Sequence, residues 1–362
     1  MGVELKLTDK ELPVSPVFVD FLAHIVKKIP FSDAEWGDQL SESLSDTQTR
    51  VAESAKNNIR EILADQDGVT HIARSYELLV ALMTGDLSKL KDLQGKFHFI
   101  NIIGTPRNGG SYLTKELYRM LGFDPSAVPN GLAHDGFPEA GPFRLEKNHN
   151  SWMLSLQTMA EYLVMVELFF ARSKPVGGKI QVPKKLLKGP YAGSFFYRVM
   201  GESVENILTL RHPVTSCIST YEKSGGLPTD GGFAVRGNIE EWIRRDLVYT
   251  GTDADEIMRM DYFDAYLRYW EQYHYFIATT GLSANRNTEI VAYGADRMMD
   301  TVRRYGYRFG QRQPEPEVFE VNDKRDRHSD WVRQSEPVIQ RVTEVWSRVG
   351  LKFPASEVME CW

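Results

Sequence analysis

The sequence predicts an α/β fold in which a central parallel sheet carries helices on both faces. Four short apolar runs have strand character, and a segment with helical periodicity follows each of them. Parallel strands need long crossover connections, so strands that alternate with helices favour a parallel sheet. The first 95 residues show helical periodicity alone. We therefore predict a helical N-terminal cap or extension at 1–95 and an α/β domain at 96–362.

The N-terminal region is predicted to be helical because its apolar residues recur at intervals of three and four. Pro16 stands at the start of this pattern and Gly85 near its end, where proline and glycine commonly begin and end helices. The pattern leaves open whether the region packs on the α/β core or forms a small separate domain. The first apolar series is Val17, Phe18, Phe21, Leu22 and Ile25.

The predicted strands are short, apolar runs, and Pro190 interrupts the helix-like segment that follows the second one. In open parallel sheets ligands bind where the strands end. Functional residues are therefore expected in the loops after the strands. We predict strands at 96–104, 179–182, 204–210 and 288–292, and helices at 111–121, 186–200, 214–223 and 296–305.

Composition disfavours several classes of protein. Apolar residues make up 42% and charged residues 25% of the 362 residues, which is typical of a globular chain. A net charge of −6 disfavours nucleic-acid binding, and two cysteines provide neither a disulfide framework nor a zinc cluster. The N-terminus lacks a secretory pattern, and the longest apolar window, 162–170, is too short to span a bilayer. We expect a cytoplasmic protein without a membrane span or a metal site.

A glycine-rich loop at 104–112, with the sequence GTPRNGGSY, follows the first predicted strand and precedes a helix. Glycines allow backbone N–H groups to approach an anion, and the helix N-terminus adds a partial positive charge. Arg107 contributes a permanent cation and Ser111 a hydroxyl group. The strand–loop–helix context is that of P-loop proteins, and it predicts a phosphate-binding site.

One departure disfavours nucleoside triphosphate hydrolysis at this loop. The lysine that such loops place before the serine is replaced by Gly110. No predicted strand ends in an aspartate suited to magnesium. The loop therefore predicts an anion site of another kind.

A second strand–turn–helix segment, at 204–221, carries Arg211 at the end of the strand and Ser219 eight residues later. Its order of strand, R-x-P and helix resembles the 3′-phosphate-binding segment of sulfotransferases that use 3′-phosphoadenosine 5′-phosphosulfate (PAPS). The sequence PRNGGS at 106–111 resembles the 5′-phosphosulfate loop of the same family. Weaker similarities lie at Tyr293, which follows the fourth predicted strand, and at 324–331.

The resemblance implies a PAPS-dependent sulfotransferase that transfers a sulfonate group to an acceptor hydroxyl and releases adenosine 3′,5′-bisphosphate. It implies that Arg107 also contacts the transferring sulfonate, and that no metal is required. Asn108 and Gly110 depart from the serine and threonine of the family loop. The implied cofactor ligands are Arg107, Asn108, Gly109, Gly110, Ser111 and Tyr112 at the 5′-phosphosulfate, Arg211, Ser219, Lys324 and Arg325 at the 3′-phosphate, and Tyr293 near the adenine.

The acceptor hydroxyl requires a general base within hydrogen-bond reach. Cytosolic members of the family often carry K-T-H at the end of the second strand, where this chain has VPKK and no histidine. His134 is the first candidate because imidazole titrates near neutrality, Glu139 is the second and Asp135 the third. Lys184 is the candidate for the family lysine that contacts the sulfonate.

The acceptor itself stays open among a small alcohol, a phenol, a lipid-like hydroxyl and a carrier-bound acyl chain. The glycine-rich stretch 224–237 is predicted to be a lid or a plain surface loop. Two other functions also stay open: a kinase with an altered phosphate loop, and a non-catalytic nucleotide-binding protein of the same fold. Aromatic candidates for the acceptor pocket or the core are Trp152, Phe169, Phe170, Tyr191, Phe195 and Phe196.

Overall fold

The computed structural model describes residues 14–31, 44–134, 149–223, 243, 246–248, 250–282, 287–321 and 328–360. Within these ranges the chain folds around a sheet of four parallel strands, so the α/β prediction is confirmed. A strand is present at each predicted position. The strands are β1 Phe97–Ile103, β2 Ile180–Lys185, β3 Glu205–Leu210 and β4 Thr288–Ala292.

The strands lie in the order β2–β1–β3–β4. β2 is therefore an edge strand, which explains why it accommodates Pro183, a residue without a backbone N–H for the ladder. β2 continues to Lys185, three residues beyond the predicted end at 182. Pairing with β1 causes the extension, because Asn101 lies opposite Lys184 and Ile102 opposite Lys185.

Helices fill the described part of the N-terminal region, as the periodicity predicts. Ser15 caps the first helix by accepting a hydrogen bond from the backbone N–H of Phe18, and Asp65 caps the third through Gly68. Gly85 ends the third helix in the left-handed conformation, with φ 72°. The helices are α1 Pro16–Lys27, α2 Leu44–Ala64, α3 Gln66–Thr84 and α4 Lys91–Lys96.

The helix-like segment predicted at 186–200 is interrupted near Pro190, as the sequence indicates. A 3-10 turn spans Gly189–Ala192, and the α-helix starts only at Gly193. Pro190 explains the interruption, since it lacks an N–H group and restricts the preceding residue. The remaining helices are α5 Gly110–Met120, α6 Asn130–Ala133, α7 His149–Phe169, α8 Gly193–Met200, α9 Pro213–Lys223, α10 Ala254–Arg259, α11 Tyr262–Thr279, α12 Ala295–Arg308, α13 Ser329–Arg348 and α14 Ala355–Glu360.

Strand side chains alternate between two apolar clusters, one on each face of the sheet. Ile100 and Ile102 belong to the cluster that α5 and α12 cover. Phe97 and Phe99 belong to the larger cluster with α7 and α11, which also takes in Phe18 of α1. Helices therefore cover both faces. No helix in the described part of the chain has the length and apolar composition needed to cross a bilayer.

Candidate anion site at the ends of β1 and β3

The loop from β1 to α5 is held in a narrow set of backbone conformations. A Cβ at Gly104 would collide with the side chain of Thr209 on β3, so only glycine fits there. Gly109 has φ 81° and is the N-cap of α5. Arg107 has φ 67°, a left-handed conformation that costs a non-glycine residue about 1–2 kcal/mol. Such strain is typical of functional loops.

Buried polar groups of β3, α9 and α11 hold the loop through hydrogen bonds. The Asn108 amide donates to the carbonyl of Thr209 over 2.9 Å. The Ser216 hydroxyl lies 2.8 Å from the carbonyl of Pro106 and 3.1 Å from Oδ1 of Asn108, and it accepts from the Tyr266 hydroxyl over 2.8 Å. Asn108, a predicted cofactor ligand, is 1% exposed, and both ends of its amide bind this support. Its role in the described structure is therefore to fix the loop.

The N-terminus of α5 provides donors for an anion. Gly109 has no side chain, so the first-turn N–H groups receive no cap from the N-cap residue. The helix dipole adds a partial positive charge at the same place. The Thr114 hydroxyl returns to the carbonyl of Gly110 over 2.8 Å and does not cap the helix. This end of α5 is suited to phosphate or sulfate groups.

Arg107 and Arg211 lie side by side, although 104 residues separate them in the chain. The Arg211 guanidinium donates from Nη1 to the carbonyl oxygen of Arg107 over 2.9 Å. The Arg107 guanidinium donates from Nε to the hydroxyl of Ser219, on α9, over 3.2 Å. Three predicted cofactor ligands from two separate motifs therefore form one cluster.

The cluster concentrates positive charge in a partly dehydrated place. Arg211 is 3% exposed, and its Nε is buried without a hydrogen-bond partner among the described residues. Burial lowers the pKa of Arg211, and the neighbouring Arg107 lowers it further. Arg107 reaches solvent, yet the protein around it also lowers its pKa by desolvation. The nearby charge of Glu222 raises the pKa of both guanidiniums, yet desolvation has the larger effect. Two desolvated cations with only partial compensation form an arrangement that suits an anion.

An aromatic group borders the two arginines. The Arg211 guanidinium lies 4.0 Å from the centre of the Tyr293 ring, a cation–π contact. Phe319 packs against the edge of Tyr293 with ring centres 5.2 Å apart, and against Tyr112 at 4.6 Å. A Cβ at Gly109 would lie 3.2 Å from the Phe319 ring. Tyr293 and Tyr112 therefore lie beside the site, and Phe319 between them is a neighbour that the sequence did not reveal.

The lysine next to the loop is Lys185, and Lys184 takes a different position. Lys184 is 0% exposed, and its ammonium donates to the carbonyl of His134 over 2.7 Å. Lys185 donates to Ser111 over 3.0 Å, and its stem passes 3.5 Å from where a Gly110 Cβ would be. Successive strand residues point to opposite faces, and α5 covers only one of them. Lys184, the lysine expected at the sulfonate, therefore points to the backbone of His134, whereas Lys185 lies at Ser111 of the loop.

His134 ends α6 and lies within reach of the loop through Lys185. Its Nε2 is 2.8 Å from the Lys185 ammonium. His98 lies at the amino end of β1, 3.1 Å from Glu205, and His274 is buried in α11. His212 is fully buried beside Arg211, and desolvation lowers its pKa to about 3. Lys185 connects His134 to the loop.

Several predicted residues cannot be placed. Glu139, Asp135, Lys324 and Arg325 lie outside the described residues, as does the predicted lid at 224–237. Among the aromatic candidates, Phe170 and Phe196 are part of the main core, Phe169 and Phe195 pack against it, and Tyr191 donates to Asp246. In the described ranges no three histidine, cysteine or carboxylate side chains gather as a metal site.

Comparison of the chain with models of protein families, with curated proteins and with solved structures found no match.

Proposed function

We propose that the protein is a PAPS-dependent sulfotransferase whose cofactor lies across the ends of β1 and β3. The observation that carries the proposal is the convergence of Arg107 and Arg211. The motifs that suggested two phosphate sites are far apart in sequence, yet their arginines share one cluster with Ser219. A nucleotide with a phosphosulfate at one end and a 3′-phosphate at the other offers anionic groups to both arginines.

The residues have complementary roles in this reaction. The acceptor oxygen bonds to sulfur as the bond from sulfur to the 5′-phosphate oxygen breaks, and a base takes the hydroxyl proton. Negative charge then builds on the departing adenosine 3′,5′-bisphosphate. Arg107, Lys185 and the N-terminal N–H groups of α5 are the groups that would stabilise this charge. Arg211 would hold the 3′-phosphate.

Lys185 also supports a second candidate, transfer of a phosphoryl group from a nucleoside triphosphate. Its ammonium lies at Ser111 and provides the positive charge that a lysine would supply at position 110, where this chain has glycine. The end of β3 disfavours this candidate, because Arg211 and Pro213 stand where a magnesium-binding aspartate is expected. We therefore prefer the metal-independent reaction.

Calorimetric titration separates these candidates without knowledge of the acceptor. The wild-type chain should bind adenosine 3′,5′-bisphosphate more tightly than adenosine 5′-phosphate, and more tightly than ATP with magnesium. Arg211→Ala should weaken the binding of adenosine 3′,5′-bisphosphate by about 10- to 100-fold, because a charged hydrogen bond contributes about 1.5–3 kcal/mol. Its effect on adenosine 5′-phosphate should be much smaller.

Arg60→Ala is the matched control, because Arg60 is an exposed arginine on α2. Its affinities should equal those of the wild type. Preference for ATP with magnesium would favour the kinase. Equal losses for both adenosine nucleotides in Arg211→Ala would remove the 3′-phosphate assignment.

A further inference from the structure

Two consecutive lysines at the end of β2 hold the same histidine. Lys184 donates to the carbonyl oxygen of His134 over 2.7 Å, and Lys185 approaches the ring Nε2 at 2.8 Å. Their side chains leave opposite faces of the strand, so one reaches the backbone and the other the imidazole. We call the pair and His134 the lysine clamp. Contacts to Gly131 and Leu132 at 3.3 Å and to the Tyr162 ring at 4.2 Å hold Lys184 in place.

The contact with Lys185 determines where His134 carries its hydrogen. A lysine ammonium has three donors and no acceptor, so it can only donate to Nε2. Nε2 must then present its lone pair, and the neutral ring must carry its hydrogen on Nδ1. A lone pair that an ammonium occupies is not available to remove a proton from a substrate hydroxyl. This geometry disagrees with the expectation that His134 is the general base.

The same contact gives His134 another task. Lys185 donates to both Ser111 and His134, so the histidine fixes the direction of the ammonium at the start of α5. Two acceptors restrict the rotamers of this flexible four-carbon stem more than Ser111 alone would. We propose that His134 is a positioning residue in its Nδ1–H form, which aims Lys185 at the anion loop, and that Lys184 fixes its backbone. The ligand contact of Lys185 rests on the proposed function, whereas the tautomer does not.

Nitrogen-15 NMR of the ligand-free protein tests the tautomer directly. We expect Nδ1 of His134 to carry the hydrogen in the wild type at neutral pH, with the signals assigned by their loss in His134→Gln. In Lys185→Met the ring should shift towards the Nε2–H form that imidazole prefers in water. A wild-type ring with its hydrogen on Nε2, or with both nitrogens protonated, would overturn the proposal.

Titration with adenosine 3′,5′-bisphosphate tests the positioning. His134→Ala should weaken binding about tenfold, and His134→Gln should restore most of the loss because its amide oxygen can accept from Lys185. Lys185→Met should weaken binding at least as much, and adding His134→Ala to it should cause no further loss. Lys91→Met, an exposed lysine on α4, is the control and should bind like the wild type.

Independent losses from His134→Ala and Lys185→Met would contradict the clamp, as would failure of His134→Gln to restore binding. Lys184→Met, with its fold checked by circular dichroism, should bind like His134→Ala; wild-type affinity would remove its role. The two proposals can be told apart. Wild-type protein that has the Nδ1–H ring but binds no bisphosphate would refute the sulfotransferase assignment and the ligand contact of Lys185 but not the tautomer, and tight binding with an Nε2–H ring would refute the clamp alone.

Discussion

Arg107 combines backbone strain with a functional side chain. Its φ of 67° is one that glycine adopts freely and that costs other residues about 1–2 kcal/mol. The loop nevertheless places arginine there, where the guanidinium meets Ser219 and its carbonyl accepts from Arg211. Strain kept in this candidate site favours a side chain that serves binding over one that serves folding.

Two substitutions at this position should therefore differ in stability and yet lose binding alike. Arg107→Gly relieves the strain and should be about 1 kcal/mol more stable to urea than Arg107→Ala, which keeps it. Both variants should lose affinity for adenosine 3′,5′-bisphosphate. Equal stability of the two would show that the left-handed conformation is not retained in solution.

His274 makes stability depend on pH. Complete burial lowers its pKa from 6.5 to about 4, and its Nε2 lies buried without a hydrogen-bond partner among the described residues. The unfolded chain takes up a proton near 6.5 and the folded chain only near 4. The unfolded state therefore binds more protons between these values. The contribution of His274 to the free energy of unfolding is complete above pH 6.5. It falls by up to about 3 kcal/mol as the pH drops towards 4.

His274→Asn should reduce this pH dependence. The Asn amide can still donate to the carbonyl of Trp270, the partner of His274 at 2.8 Å, but does not take up a proton. The variant should be less stable than the wild type at pH 7 because of the smaller side chain, and the difference should shrink at pH 5. Urea unfolding at pH 7 and pH 5 measures the free energy of unfolding of both proteins. An equal loss of stability between the two pH values in variant and wild type would contradict the prediction.

At the scale of elements, an extended segment ties the far end of α5 to the anion loop. Residues 311–321, here called the strap, follow α12 and run back along α5. The Gln311 amide donates to the carbonyl of Met120, and the backbone N–H of Glu317 donates to the buried carboxylate of Glu116 over 2.9 Å. The strap then places Phe319 against Tyr112.

Glu116 should determine how tightly the strap holds. Glu116→Ala removes the acceptor of Glu317 and the partner of Arg119, which itself binds the carbonyl of Glu315. Hydrogen–deuterium exchange of the Glu317 backbone amide should become about 10- to 100-fold faster in this variant. The amide exchange rates of α11 should not change. Glu344→Ala is the control, because Glu344 is an exposed carboxylate on α13. Equally fast exchange of the Glu317 amide in this control, or of the α11 amides in Glu116→Ala, would mean general destabilisation.

At the scale of the whole molecule, one apolar cluster joins the N-terminal helices to the sheet. It includes Phe18 and Ile72 together with Phe97 and Leu208. Glu161 of α7 accepts from the backbone N–H of Ser15 over 3.0 Å, which adds a buried polar contact at the start of α1. Such continuity favours a cap that folds with the sheet over an independent domain.

Thermal unfolding should therefore show one cooperative transition. Far-ultraviolet circular dichroism, which follows the helices, and calorimetry should give the same midpoint. Glu161→Ala should lower that midpoint without splitting the transition, because it weakens the attachment of α1. An early loss of helical signal in the wild type would show that residues 1–95 unfold separately.

Local patterns determined much of the architecture. Hydrophobic periodicity and the positions of proline and glycine predicted the helices before residue 96, the position of each strand and the loop at 104–112, because these features depend on neighbouring residues. The composition of this loop pointed to Arg107, and the resemblance to the sulfotransferase segment pointed to Arg211 and Ser219. Local patterns could not fix the end of β2, where strand pairing decides.

Contacts between distant residues were decided only by the tertiary structure. The sequence favoured Lys184, but pairing with β1 extends β2 and turns Lys185 towards Ser111. No local pattern marked Phe319, since a loop of the chain returns it to the site. The meeting of Arg107 and Arg211 also depends on β1 and β3 being neighbours in the sheet. Strand order and side-chain direction arise from packing over the whole molecule, and a single sequence records them only indirectly.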